Sequence, residues 1–84
     1  TSKFKKDYKA VLKRGYNADD LMKVIGILSK NIPLPPKYKD HNLSGNFVDY
    51  RECHITPDWL LIYKKDQSIL TLTLIRTGSH SDLF

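Results

Sequence analysis

The three histidines of this sequence, His41, His54 and His80, all lie in its C-terminal half. Each stands beside a turn or the end of a strand-like run, near Asp40, Glu52, Asp58, Arg51 or Arg76. Imidazole titrates near pH 6.5, so at neutral pH one ring accepts a proton while another donates one. Carboxylates orient such rings, and arginine grips phosphate oxygens in a bidentate, permanently charged fork. This inventory matches metal-free RNA cleavage, in which a base takes the proton of a ribose 2′-hydroxyl, an acid protonates the departing 5′-oxygen, and cations stabilise charge on the phosphate.

Other chemistries fit less well. Histidine and carboxylate are common zinc ligands, but no two histidines stand at i and i+4 and no zinc-finger spacing of Cys and His appears, so neither a metal nor a cofactor is expected. Cys53 directly precedes His54, yet adjacent side chains of a regular strand point to opposite faces and cannot pair as nucleophile and base. Cys53 reads as a small core residue. Gly78-Ser79-His80 lacks the Gly-x-Ser-x-Gly elbow of a serine hydrolase. The same alternation puts Glu52 and His54 on one face and Arg51 with Cys53 on the other. For Arg51 and His54 to serve one phosphate, a bulge or an end-on approach is required; otherwise Arg51 is structural and pairs a carboxylate. Trp59 either stacks on a base or seals the core. Phe84, at the end of the sequence, frays unless it docks on the sheet or on a substrate.

These residues need a frame. Phe4, Tyr8, Val11 and Leu12 recur at helical spacing over residues 2–14, with Lys5, Lys6, Lys9 and Lys13 on another face, which predicts an amphipathic helix. Gly15 suits its end, and Asn17 with Asp20 resembles the cap of a second helix whose stripe is Leu21, Val24, Ile25, Leu28 and Ile32. The run Ile32-Pro33-Leu34-Pro35-Pro36 stops that helix, because proline lacks the amide donor. A loop through Lys37, Asp40, His41 and Gly45 follows. Residues 47–55, 59–64 and 68–76 are rich in β-branched and aromatic side chains and predict an antiparallel meander. Leu60, Leu61 and Ile62 mark its central strand. The expected fold is α+β, two N-terminal helices packed on a small antiparallel β-sheet, in one domain over residues 1–84.

The charge is unevenly placed. Lys3, Lys5, Lys6, Lys9, Lys13 and Arg14 stand against Asp7 alone in the first fourteen residues, so this segment carries the net charge of +5. Such a block suits RNA or an acidic protein, and equally a solvated helix face. A single cysteine forms no internal disulfide and fits a reducing compartment. No apolar run approaches the ~18 residues of a membrane-spanning helix. A cytoplasmic location with no membrane partner is expected.

Tyr38-Lys39-Asp40-His41, Tyr50-Arg51-Glu52-Cys53-His54, Pro57-Asp58-Trp59 and the run from Arg76 through Gly78, Ser79, His80 and Asp82 to Phe84 occur in this order. In that order of motifs the chain resembles the YafQ branch of the RelE-type toxins. The resemblance implies a bacterial toxin of a type II toxin–antitoxin system, a ribosome-dependent mRNA endonuclease that cuts mRNA in the A site and is blocked by a DinJ- or RelB-like antitoxin. Carried over residue by residue, it implies His41, His54, Asp58 and His80 as catalytic, with Arg76, Trp59 and Phe84 supporting the substrate; Arg51 and Lys39 stand beside these as further candidate substrate contacts. The basic helix would dock on ribosomal RNA. The implied fold opens with a short strand before the first helix; this sequence starts inside that helix, so the first strand is expected to be missing. Two readings compete: a non-catalytic ParE-like toxin that inhibits gyrase, and a basic RNA-binding module.

Overall fold

The computed structural model describes residues 1–66 and 71–84. In chain order they form α1 (Ser2–Lys13), α2 (Ala18–Ser29), β1 (His41–Asn42), β2 (Arg51–Thr56), β3 (Trp59–Asp66), β4 (Thr71–Gly78) and the single turn α3 (His80–Leu83). The strands make one antiparallel sheet in the order β1-β2-β3-β4. The α+β architecture expected of the sequence is present, with both long helices on one face of the sheet.

Each helix starts on a side-chain cap. Thr1 Oγ1 accepts from the Phe4 amide at 3.0 Å, and Asn17 Oδ1 accepts from the Asp19 amide at 2.9 Å, satisfying donors the helix leaves free. Asp19 and Asp20 add negative charge at the positive end of α2. The predicted stripe of α2 holds for Leu21, Val24 and Leu28, all buried. Ile32 leaves it and is exposed, because Asn31 turns left-handed at φ 58° and ends the helical periodicity before Pro33.

The first strand of the meander begins later than predicted. Residues 45–47 form a 3₁₀ turn, and the Tyr50 amide donates to the Phe47 carbonyl at 2.9 Å, so β2 opens only at Arg51. The loop expected before it contains β1, whose two residues pair with β2 as His41↔Glu52 and Asn42↔Arg51. Ser68, the predicted start of the last strand, lies outside the described residues. That strand runs on past Arg76 to Gly78.

Between the helices and the sheet lie Val11, Leu21, Val24, Leu28, Tyr38, Cys53, Ile55, Trp59, Leu61 and Tyr63. Leu60 and Ile62, on the alternate positions of β3, are buried as well, as expected of a central strand covered on both faces. Burial pushes the Cys53 thiol up to about 12, which leaves it a core side chain without nucleophilic use. Among the described residues no helix is long and apolar enough to cross a membrane.

Candidate acid–base site

The site grows from the register of β1, β2 and β3. His41 sits directly opposite Glu52. His54, two residues along β2, projects from the same face as Glu52, so the two rings are diagonal neighbours about 7–8 Å apart along the backbone. Next to His54 the ladder is irregular: His54 pairs with Leu60 and Thr56 with Trp59, leaving Ile55 as an extra residue. This bulge twists the strand end beside the Pro57-Asp58 turn, and His54 Nδ1 lies 3.4 Å from the Pro57 carbonyl within that turn.

His41 is held at one ring nitrogen and faces a carboxylate with the other. Nδ1 lies 2.7 Å from the Lys39 carbonyl, and Nε2 lies 3.4 Å from Glu52 Oε1. Lys39 adopts the left-handed conformation, φ 50°, which an L-residue takes at a cost of about 1 kcal/mol and which aims its carbonyl at the ring. Glu52 is 6% exposed. Its Oε2 is the buried side-chain atom without a hydrogen-bond partner among the described residues. An unpaired buried carboxylate oxygen is unfavourable and calls for an explanation, a role in chemistry or an ordered water among them.

The third histidine arrives from β4. Because His54 pairs with Leu60 and Leu60 with Gly78, β4 ends at the same end of the sheet as His54 and the turn that carries Asp58. Ser79 then caps α3 in a capping box with Asp82, which orients His80 as the first residue of that turn. The His80 ring lies 5.3 Å from Phe84, and Phe84 stands edge-on to Phe47 at 6.2 Å. A β-carbon at Gly78 would come within 2.9 Å of the Asp82 side chain, so glycine permits this close return. An open cavity of about 390 Å³ lies beside His54 and is lined by Asp20, Lys23, Lys37, Tyr38, Lys39 and Pro57 among others.

Residues 1–84 match the family described as the bacterial toxin of type II toxin-antitoxin system, YafQ. The chain belongs to the YafQ toxin family. The mRNA interferase toxin YafQ of Escherichia coli K12 is 40% identical over 85 residues, spanning 100% of this chain and 90% of that toxin. A metal-bound toxin from Helicobacter pylori is 50% identical at a TM-score of 0.91, covering 100% of this chain and 93% of its own. YafQ in the E. coli DinJ–YafQ complex is 40% identical at a TM-score of 0.91, covering 100% and 92%. This protein is therefore a toxin of a type II toxin–antitoxin system with the YafQ fold.

Several of the residues singled out in this YafQ-family sequence are tied into the fold instead of lining an open site. Arg51 donates from Nε and Nη2 to Asp40, the Nη2 contact at 2.7 Å, and from Nη1 to Asn42. Asp40 accepts also from the Tyr63 hydroxyl. Its hydrogen bond to Asp40 raises the Arg51 pKa, so this guanidinium is a permanent structural tie, the second of the two roles the alternation allowed. Arg76, the better candidate for a phosphate clamp, donates to Asp7 of α1 at 2.6 Å from Nε and 3.1 Å from Nη2. Trp59 is 1% exposed; it donates from Nε1 to Thr77 Oγ1 at 2.7 Å and packs edge-on against Tyr16. Its faces are covered by the core, so no base can stack on it in this structure. Lys39 remains exposed at the rim of the cavity.

Asp58 is exposed in the turn after β2, at the end of the sheet where Arg14 bonds Asp82. The Arg14 pKa is raised mainly by that hydrogen bond and less by the charge of Asp58. Among the described residues no group of three or more His, Cys, Asp or Glu side chains could hold a metal ion. The partner of His41, Glu52, was not assigned a role from sequence. Its signal was the alternation that set a carboxylate on the His54 face of the strand.

Proposed function

We propose that this toxin is an endoribonuclease that cuts mRNA presented in the ribosomal A site by acid–base catalysis through His41, His54 and His80. The observation that carries this reading is the placement of His41 and His54 as diagonal neighbours on one sheet face, beside a buried carboxylate with an unsatisfied oxygen. One ring removes the proton of a ribose 2′-hydroxyl, the oxygen attacks its own 3′-phosphate, and a second ring protonates the 5′-oxygen as it leaves. The products are a 2′,3′-cyclic phosphate and a 5′-hydroxyl. Phe84, 56% exposed beside His80, offers a face for base stacking. Asp58 adds a carboxylate at the rim.

The name of the E. coli relatives, mRNA interferase, supports the reaction class. The partners follow from charge and kinship. The lysine face of α1 docks on ribosomal RNA, and a DinJ- or RelB-like antitoxin blocks the toxin, as the E. coli DinJ–YafQ complex suggests. Action on ribosomes implies a cytoplasmic site.

Adding the protein to a translating bacterial extract is expected to produce discrete cuts in mRNA ending in cyclic phosphate, and none on the same RNA without ribosomes. Gyrase inhibition without RNA cleavage, or ribosome association without strand scission, would overturn the proposal in favour of a ParE-like inhibitor or a simple RNA-binding module.

A further inference from the structure

We propose that the open cavity beside His54 is a phosphate subsite, in which Lys23, Lys37 and Lys39 hold the mRNA backbone one linkage away from the cut. This rests on the nuclease reading above and adds what grips the strand. An RNA cut beside His54 carries further phosphates past this end of the sheet, and their charge has to be met by cations. The sequence has three arginines, and the fold engages all of them: Arg14 bonds Asp82, Arg51 bonds Asp40 and Arg76 bonds Asp7. Free positive charge near the histidines therefore falls to lysine.

Three elements build the cavity. Asp20 and Lys23 come from α2, Lys37, Tyr38 and Lys39 from the segment before β1, and His54 with Pro57 from the end of β2. The middle segment is firmly seated. Pro36 opens its 3₁₀ turn with a fixed φ, and Tyr38, 6% exposed, anchors it in the core. Lys37 Nζ lies 5.0 Å from the centroid of the Tyr38 ring, a cation–π placement. The Lys39 carbonyl lies 2.7 Å from His41 Nδ1, so the segment that carries two of the lysines also seats His41. All three lysines are exposed, and among the described residues none closes an ion pair. Asp20 stands on the same wall, which leaves three positive charges against one in the lining. An acidic protein segment is the other polyanion that fits such a lining; its junction with His41 and His54 favours RNA.

The test uses the whole toxin on mRNA-programmed ribosomes, with an uncharged methylphosphonate placed one linkage before or one linkage after the cut. The triple variant Lys23→Gln, Lys37→Gln, Lys39→Gln keeps much of each stem and removes the charge. On ordinary mRNA it should raise KM about tenfold and leave kcat within about twofold, the mark of groups that bind the substrate without entering the reaction. On one side of the cut, methylphosphonate should raise KM of the unaltered toxin several-fold and add nothing to the triple variant. On the other side it should cost both proteins equally. A fall in kcat at unchanged KM would place the lysines at the reacting phosphate. Penalties that multiply on both sides would assign them to ribosomal RNA, and an unchanged KM and kcat would leave the cavity to an acidic protein. Each of these results, with ordinary mRNA still cut by the unaltered toxin, overturns the subsite alone. Failure of the unaltered toxin to cut ordinary mRNA would overturn the nuclease reading, and the subsite with it.

Discussion

The edge where α1 meets β4 and the corner where β1 meets β2 both hold oppositely charged side chains, but in opposite states of completion. At the α1–β4 edge Asp7 accepts from Arg76 Nε at 2.6 Å and from the Thr77 amide at 3.2 Å, and nearby Arg14 bonds Asp82 at 2.6 Å. These are short, charge-assisted bonds that tie a helix and a terminal turn to the sheet. At the β1–β2 corner the His41–Glu52 separation is 3.4 Å, the carboxylate is buried, and one of its oxygens is unpaired. The first region is finished as structure. The second leaves an imidazole and a carboxylate at a longer separation with one oxygen unpaired, the unfinished arrangement on which the proposed reaction rests.

The sharpest way to break this contrast is to remove a group from each region. His54→Ala should cut turnover on ribosome-bound mRNA by about 10²–10⁴ while circular dichroism melts stay unchanged; a matching loss of stability would make His54 a structural residue. Asp7→Ala should do the reverse. It strips partners from Arg76 and the Thr77 amide, costing about 1–2 kcal/mol once the partial exposure of Arg76 is allowed for, read as a Tm several degrees lower with turnover per folded molecule retained. A collapse of turnover without a change in Tm would return Arg76 to the phosphate.

A smaller effect comes from pH. Its hydrogen bonds from Arg14 and the Ser79 amide hold Asp82 at about 2, below the usual 3.8. A carboxylate depressed in the folded state stabilises fully above its unfolded value, and that contribution is lost as pH falls through the folded value. Stability should therefore decline between about pH 4 and pH 2, more gently in Asp82→Asn, as followed by urea midpoints. With the side chain 36% exposed, the difference should be small and should shrink in high salt.

Elements with a long period were legible in the residues alone. Val11 in α1, Leu21, Val24 and Leu28 in α2, and the apolar run of β3 all sit where periodicity puts them. β1 was not, because two residues have no period and His41 and Asn42 become a strand only by pairing with β2. Phe47 misled through its β-propensity; a 3₁₀ turn claims it, and its ring packs between Tyr50 and Phe84.

The residue types alone determined that acid–base groups gather in the C-terminal half, that Glu52 and His54 share a face, and that Cys53 does not, because these follow from composition and the two-residue repeat of a strand. Only the tertiary structure decided what each of them is bonded to. Arg76 is held by Asp7, 69 positions away, and Trp59 by Thr77, 18 positions away. Glu52 acquires its significance from a ring eleven residues earlier in the chain. Pairings across such separations depend on how the sheet and helices close on one another, and no local pattern encodes them.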